Sequence, residues 1–170
     1  MGKTKTIAQG AMLTALALAL SYAERFIPLQ LVIPLPGVKL GLANIVTLMA
    51  LYLLGTKSAL TILLLRCFLG SLFGGGITGL LFSVTGGAVS MAVMALCKRA
   101  KIFSVYGVSI LGAAAHNIGQ ILAAAVLMNS VYVGAYLPYL LIVALFTGSA
   151  TGAACAGVLR AIKAVNISKK

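Results

Sequence analysis

Six apolar runs punctuate this chain, and a carboxylate occurs in only one of them, near its end. Glu24 is the single acidic residue among 170, set against thirteen Lys and Arg and a hydrophobic fraction of 62%. Charged residues make up 8%, roughly a third of what a soluble domain carries, about 25%. Too little polar surface remains to cover a water-soluble globule, and the mean hydropathy of +1.14 argues against reading the net charge of +12 as a nucleic-acid footprint. The chain reads as an all-α integral membrane protein, a single polytopic domain over residues 1–170.

A spanning helix needs about 20 predominantly apolar residues. The runs predict helices over about 6–27, 39–55, 58–73, 78–97, 103–127 and 138–162. Pro28, Pro34, Pro36 and Gly37 break the first gap, Gly74 to Gly76 stop the third run, and Lys98, Arg99 and Lys101 close the fourth. Cations concentrate on cytoplasmic loops of membrane proteins. With the N-terminus in the cytoplasm, Lys3, Lys5, Lys57, Lys98, Arg99, Lys101, Arg160, Lys163, Lys169 and Lys170 fall on that side, ten of the thirteen. Six helices with both termini inside fit this distribution, in a bacterial cytoplasmic membrane. Arg25, Lys39 and Arg66 are the exceptions, at the outside or within the membrane.

Other local patterns carry less. Lys3 and Lys5 ahead of an apolar run resemble a signal peptide, but the chain stays membranous downstream and the run reads as an uncleaved first helix. Gly2-Lys3-Thr4 lacks the upstream glycine and strand of a phosphate loop. Met1-Gly2 with Thr6 is a weak myristoylation match, and the Asn166 sequon lies in the expected cytoplasmic tail. Cys67, Cys97 and Cys155 share no ligand spacing and read as small packing residues. No cofactor or metal site is expected.

Two features point to function. Alanines at 8, 11, 15, 19 and 23 put a smooth stripe on one face of the first helix, and such faces allow close helix approach in lipid. The stripe either packs inside the chain or docks a partner. Gly148, Gly152 and Ala156 form a similar stripe on the sixth helix, read as internal packing. The second feature is polar. His116, Asn117 and Gln120 stand together on the fifth helix, with His116 and Gln120 one turn apart. Asn44 falls near the same level, and Arg66 lies within the third helix. A charge at that depth costs at least about 2.5–3.5 kcal/mol and must find a partner. Glu24, Arg25 and Lys39 would gather at the outer mouth. Three cations against one carboxylate suit an anionic ligand, a phosphate or carboxylate. The alternative is structural: the amides tie helices together, and Arg66 pairs with backbone carbonyls or Glu24. His116 could equally sense pH or relay protons. The proline-rich Pro28–Gly37 segment is either a connector or a lid, and Gly74 to Gly76 a possible hinge.

Pro36-Gly37-Val38-Lys39-Leu40-Gly41-Leu42-Ala43-Asn44-Ile45 and His116-Asn117-Ile118-Gly119-Gln120, in this order, resemble the membrane family labelled heptaprenyl diphosphate synthase component I, also called the Gx transporter family. The resemblance covers nearly the whole chain. That family looks akin to the substrate-binding S components of energy-coupling factor (ECF) transporters, six-helix proteins whose first helix docks on a coupling subunit through an alanine-spaced motif. Ala11, Ala15 and Ala19 match that pattern. The resemblance implies a substrate-binding subunit that captures a small anionic molecule from outside, an isoprenoid diphosphate or a quinone or flavin precursor. Lys39, Asn44, Arg66, His116, Asn117 and Gln120 would bind it. The partners implied are an ECF-type coupling subunit and ATPases, within membrane lipid and without nucleic acid. The alternative is a non-transporting membrane partner or anchor of a polyprenyl diphosphate synthase or redox system. Trans-prenyltransferases hold diphosphate through Mg²⁺ on aspartate-rich motifs, because a hard cation needs several oxygen ligands. With no aspartate and one glutamate, the chain is not expected to be an enzyme by itself.

Overall fold

Uninterrupted apolar stretches satisfy their backbone groups only by coiling into helices when water is scarce, and most of the described residues do this. The computed structural model describes residues 3–26 and 41–168. Its helices are α1 (Lys3–Ala23), α2 (Asn44–Leu53), α3 (Thr56–Gly70), α4 (Gly76–Ala100), α5 (Val105–Leu127) and α6 (Leu137–Ser168). Short 3-10 turns follow α1 at Glu24–Phe26 and precede α6 at Val131–Tyr136. Among the described residues there is no strand.

Five of the helical stretches are long and apolar enough to cross a membrane, and α2, with ten residues, is not. A helix over about 39–55 was expected there. Instead Gly41 takes a φ of +81°, a turn occupies residues 42 and 43, and the helix starts only at Asn44. At Gly41 a Cβ would lie 2.9 Å from Asn44 Nδ2, so both the left-handed backbone and the crowding require glycine. The chain kinks at the triple glycine: Phe73 and Gly74 leave helical geometry, with Gly74 at φ +96° and Gly76 at +61°, and α4 follows at once.

The basic ends of the helices gather at one end of the bundle. Lys98 Nζ donates to Leu51 O at 2.6 Å and sits 5.0 Å over the Tyr52 ring. A cation on the last carbonyls of a helix is favourably placed against its dipole, so the end of α4 caps the end of α2. Lys5 and Gln9 of α1 share a cavity of about 510 Å³ with Leu53, Leu54 and Ile162, bringing in the start of α1 and the far end of α6. Lys57 opens α3 beside them.

Two apolar clusters fill the interior. One, toward the basic end, includes Leu48, Leu51, Leu63, Met91, Met94 and Val108, with Cys67 and Cys155 among its members and Cys97 packed against it. The three thiols are thus packing groups, all free. The other comprises Phe82, Ile121, Ala123, Ala124, Val133 and Leu140. The sequence position of each member places a polar stratum between the clusters on α4 and α5.

The most extensive helix contacts are α4 with α5 and α5 with α6, and small residues make them. A Cβ at Gly119 would lie 2.8 Å from both Gly86 Cα and Thr85 O, so α4 and α5 touch backbone to backbone. Gly148 and Gly152 of α6 would meet Ile110 Cα at 2.6 Å and Tyr106 Cα at 3.1 Å, which is the internal packing expected of that stripe. The α1 stripe has the opposite fate. Ala8, Ala11, Ala15, Ala19 and Ala23 are all exposed. Of the side chains α1 carries, Thr14 and Ala17 are buried.

Candidate functional site

Seen from the residues upward, the polar stratum begins with Arg66. It sits one turn before the end of α3 and is 6% exposed. Its Nη2 donates to Asn44 Oδ1 at 3.1 Å. Asn44 opens α2, its own N–H bonded to Gly41 O at 2.8 Å, so the turn that shortens α2 also sets the amide that meets Arg66. The partner of Arg66 is therefore neither a backbone carbonyl nor a carboxylate but a neutral amide, and Arg66 Nε has no hydrogen-bond partner.

Glu24, the sole acid, is 6% exposed. Its Oε1 accepts from Leu42 N–H at 2.8 Å, clasping the end of α1 to the turn before α2. Lys39 lies outside the described residues, as do the side chain of Arg25 and the Pro28–Gly37 segment.

His116 is 3% exposed and lies eleven residues into α5, ~16 Å along its axis. Its ring is held between two glycines. A Cβ at Gly86 of α4 would meet His116 Cε1 at 2.9 Å and Nδ1 at 3.0 Å, and one at Gly41 would meet Cδ2 at 3.4 Å and Nε2 at 3.6 Å. Gly41 thus adjoins both His116 and Asn44, and the two polar groups share one neighbourhood. Gln120, one turn on from His116, is fully buried at 0% exposure, and both residues are engaged in interactions. Asn117 differs: its Nδ2 donates to Leu140 O at 2.7 Å, which ties α5 to α6. Ser90 Oγ to Gly112 O at 2.8 Å and Ser109 with Thr151 at 2.6 Å repeat that device lower in the bundle.

The structure therefore brings Asn44, Arg66 and His116 together, buries Gln120 beside them in sequence, and gives Asn117 a tethering bond. Sequence reasoning missed Gly41, Gly86, Thr47 and Ser83, all at this level. Gly79, Ser83, Gly86, Gly87 and Ser90 recur at helical spacing on α4, and all are buried. That pattern was the available signal.

A second feature lies on the outside. Gly10, Ala11, Thr14 and Ala15 of α1 and Ile62 and Leu65 of α3 line an apolar groove of about 570 Å³. Ala19 lines a recess of about 330 Å³ next to it, with Leu18, Tyr22, Gly70 and Phe73. The polar stratum and this groove lie on different parts of the molecule.

No curated protein and no solved structure matches the chain. One family's sequence profile, however, matches residues 13–158, from the first helix to well inside the sixth. That span takes in the Gly41–Asn44 turn, Arg66 and the His116 helix, and the chain belongs to the heptaprenyl diphosphate synthase component I family.

Proposed function

We propose that the chain is the substrate-binding membrane subunit of an ECF-type importer, capturing a small anionic molecule from outside. The observation that carries this reading is Arg66. A guanidinium is a permanent cation with five donors. Here it is buried in an apolar bundle, its Nη2 on a neutral amide and its Nε without a partner. Retaining such a group is costly unless something answers the charge, and an anionic ligand does so. Asn44, His116 and Gln120 then fix orientation, Asn117 holds α5 against α6, and Lys39 with Glu24 and Arg25 supplies charge at the outer mouth. An isoprenoid diphosphate or a quinone or flavin precursor has the required chemistry.

The positive-inside rule puts the basic end, and with it both termini, in the cytoplasm of a bacterial membrane. The polar stratum then opens outward, and the six helices act as one domain. Energy comes from partner subunits, a transmembrane coupling protein and ATPases. The exposed Ala11, Ala15 and Ala19 are the docking face, supported by the groove beside them. The chain binds and does not catalyse.

A second reading is favoured by the family description itself: a membrane partner or anchor of a polyprenyl diphosphate synthase, held through the basic end.

Affinity purification of the tagged chain from native membranes tests both. Recovery of a coupling subunit with ATPases, lost on Ala15→Leu while the chain itself still folds, is the expected result. Recovery of a soluble synthase alone, unaffected by Ala15→Leu, refutes the importer reading.

A further inference from the structure

Helical hydroxyls have a default acceptor, the carbonyl one turn back. Thr14, Thr61, Thr85, Thr147 and Ser149 all use it, donating to the carbonyls of Gly10, Lys57, Leu81, Val143 and Leu145 at 2.6–3.1 Å. Thr47 is different. It is 1% exposed, lies within α2, and its Oγ1 has no hydrogen-bond partner. Buried polar atoms of this kind are few in any native protein, and each calls for an explanation.

The neighbourhood supplies one. Thr47 is three residues beyond Asn44 on the same face of α2, a rise of about 4.5 Å. Asn44 Oδ1 accepts from Arg66 Nη2 at 3.1 Å, and Arg66 Nε is likewise without a partner. Two neighbouring helices therefore each hold a buried, uncommitted donor, one on the guanidinium bonded to the Asn44 amide and one a turn further along α2. The guanidinium can only donate, and a hydroxyl can donate. The group that answers both has at least two acceptor oxygens and a negative charge. A cationic or donor-only group would leave Arg66 as it is.

We propose that Thr47 is a further ligand-contacting residue, and that its hydroxyl and Arg66 Nε together seat one oxyanion, a carboxylate or a phosphate group. The inference rests on the reading of the Arg66 site as a binding site for an anionic molecule. It adds a residue and a ligand chemistry to that site. Asn44 is then the spacer that holds the guanidinium in place, its Oδ1 occupying Nη2 so that Nε is left for the ligand.

The test uses the purified full chain in detergent, with inorganic pyrophosphate and acetate as separate probes. Far-ultraviolet circular dichroism follows thermal unfolding, since the chain has no Trp. Stabilisation by pyrophosphate but not acetate identifies a phosphate seat, and the reverse a carboxylate seat. Arg66→Gln should abolish the effect. Thr47→Val keeps the shape and removes the hydroxyl, and should weaken the effective probe about five- to tenfold, the loss of one hydrogen bond. Thr47→Ser should restore it. Without any anion, Thr47→Val should unfold at a higher temperature than the parent, because a methyl replaces an unanswered hydroxyl. If Arg66→Gln loses the anion while Thr47→Val binds it like the parent, Thr47 is no ligand contact and the Arg66 site stands. If Thr47→Val unfolds earlier without anion, the hydroxyl serves the fold and the proposal fails. If neither probe stabilises the parent chain, the site reading and this inference fall together.

Discussion

Gly119→Ala is the substitution whose effect can be worked most directly from the structure. The added Cβ would stand 2.8 Å from Gly86 Cα, 2.8 Å from Thr85 O and 3.1 Å from Gly86 N. All three are backbone atoms of α4, so no side chain can swing away. Ordinary carbon–carbon contact begins near 3.5 Å, and relief requires α4 and α5 to part by roughly 0.7 Å. Overpacking of this kind costs about 1–3 kcal/mol. Alanine returns about 1 kcal/mol of helix propensity, which leaves a net loss of up to about 2 kcal/mol, toward the upper end here because every clashing atom is backbone. Gly157→Ala is the matched control, since a Cβ at Gly157 of α6 meets nothing within 4 Å. Thermal unfolding in detergent should show Gly119→Ala lower by several degrees, about 2–4 °C per kcal/mol on the scale of domains this size, with Gly157→Ala equal to or above the parent. The same parting of helices displaces His116, which packs against Gly86, so ligand affinity should fall with stability. Unfolding of Gly119→Ala at the parent temperature would show that α4 and α5 do not meet along this seam.

Two further outcomes follow from single contacts. Lys98→Met keeps the apolar stem but removes the bond to Leu51 O and the cation over Tyr52; a loss of about 1–2 kcal/mol is expected, with earlier hydrogen exchange at the end of α2 than elsewhere in the helix. Asn117→Leu removes the tie to Leu140 O and should cost on the order of 0.6–1.7 kcal/mol, the range of hydrogen bonds between membrane helices. A titration with the effective oxyanion would then separate tether from ligand contact, since a tether lowers the unfolding temperature and leaves affinity near that of the parent.

The residues show why some of this was readable and some was not. A run without charges must be helical in lipid, and the cations at its ends are visible one by one, so the all-helical membrane character was legible. The shortness of α2 was not. Hydropathy along residues 39–55 is continuous, and what delays the helix is the +81° φ of Gly41 and the clasp of Glu24 on Leu42 N–H, neither of which leaves a trace in apolarity. Small-residue stripes show the same limit from another side. Spacing of three or four residues says that Ala11, Ala15 and Ala19 share a face, and that Gly148 and Gly152 do. It does not say what the face meets, and one stripe lies open while the other is pressed on α5. The polar stratum was half legible. His116 and Arg66 stand out because polar groups are conspicuous in apolar helices, whereas Gly86 and Gly41, which frame the His116 ring, are neutral on any hydropathy scale. Lys98 was counted for topology, and its role as the cap of α2 depends on a carbonyl 47 residues away.

The charge ledger of the whole chain bears on the site more than any single distance does. A buried guanidinium can be answered by a carboxylate of its own protein, by neutral acceptors, or by an anion from outside. The first route has one candidate, because Glu24 is the only acid among 170 residues, and one of its oxygens is committed to the Leu42 peptide 18 residues on. The second route is taken only in part: Asn44 provides one acceptor at 3.1 Å, against five donors on the guanidinium, and carries no formal charge. A chain selected only for stability would gain by replacing Arg66 with a packed apolar residue, since buried ions are often neutral or worse for folding. Its neighbours argue the same way. His116 sits in a cradle that two glycines keep open, and α2 is held at its other end by Lys98, so the Asn44 amide is presented from a short helix fixed at both ends. Such preorganisation lowers the cost of binding, and it is more than a structural arginine would need.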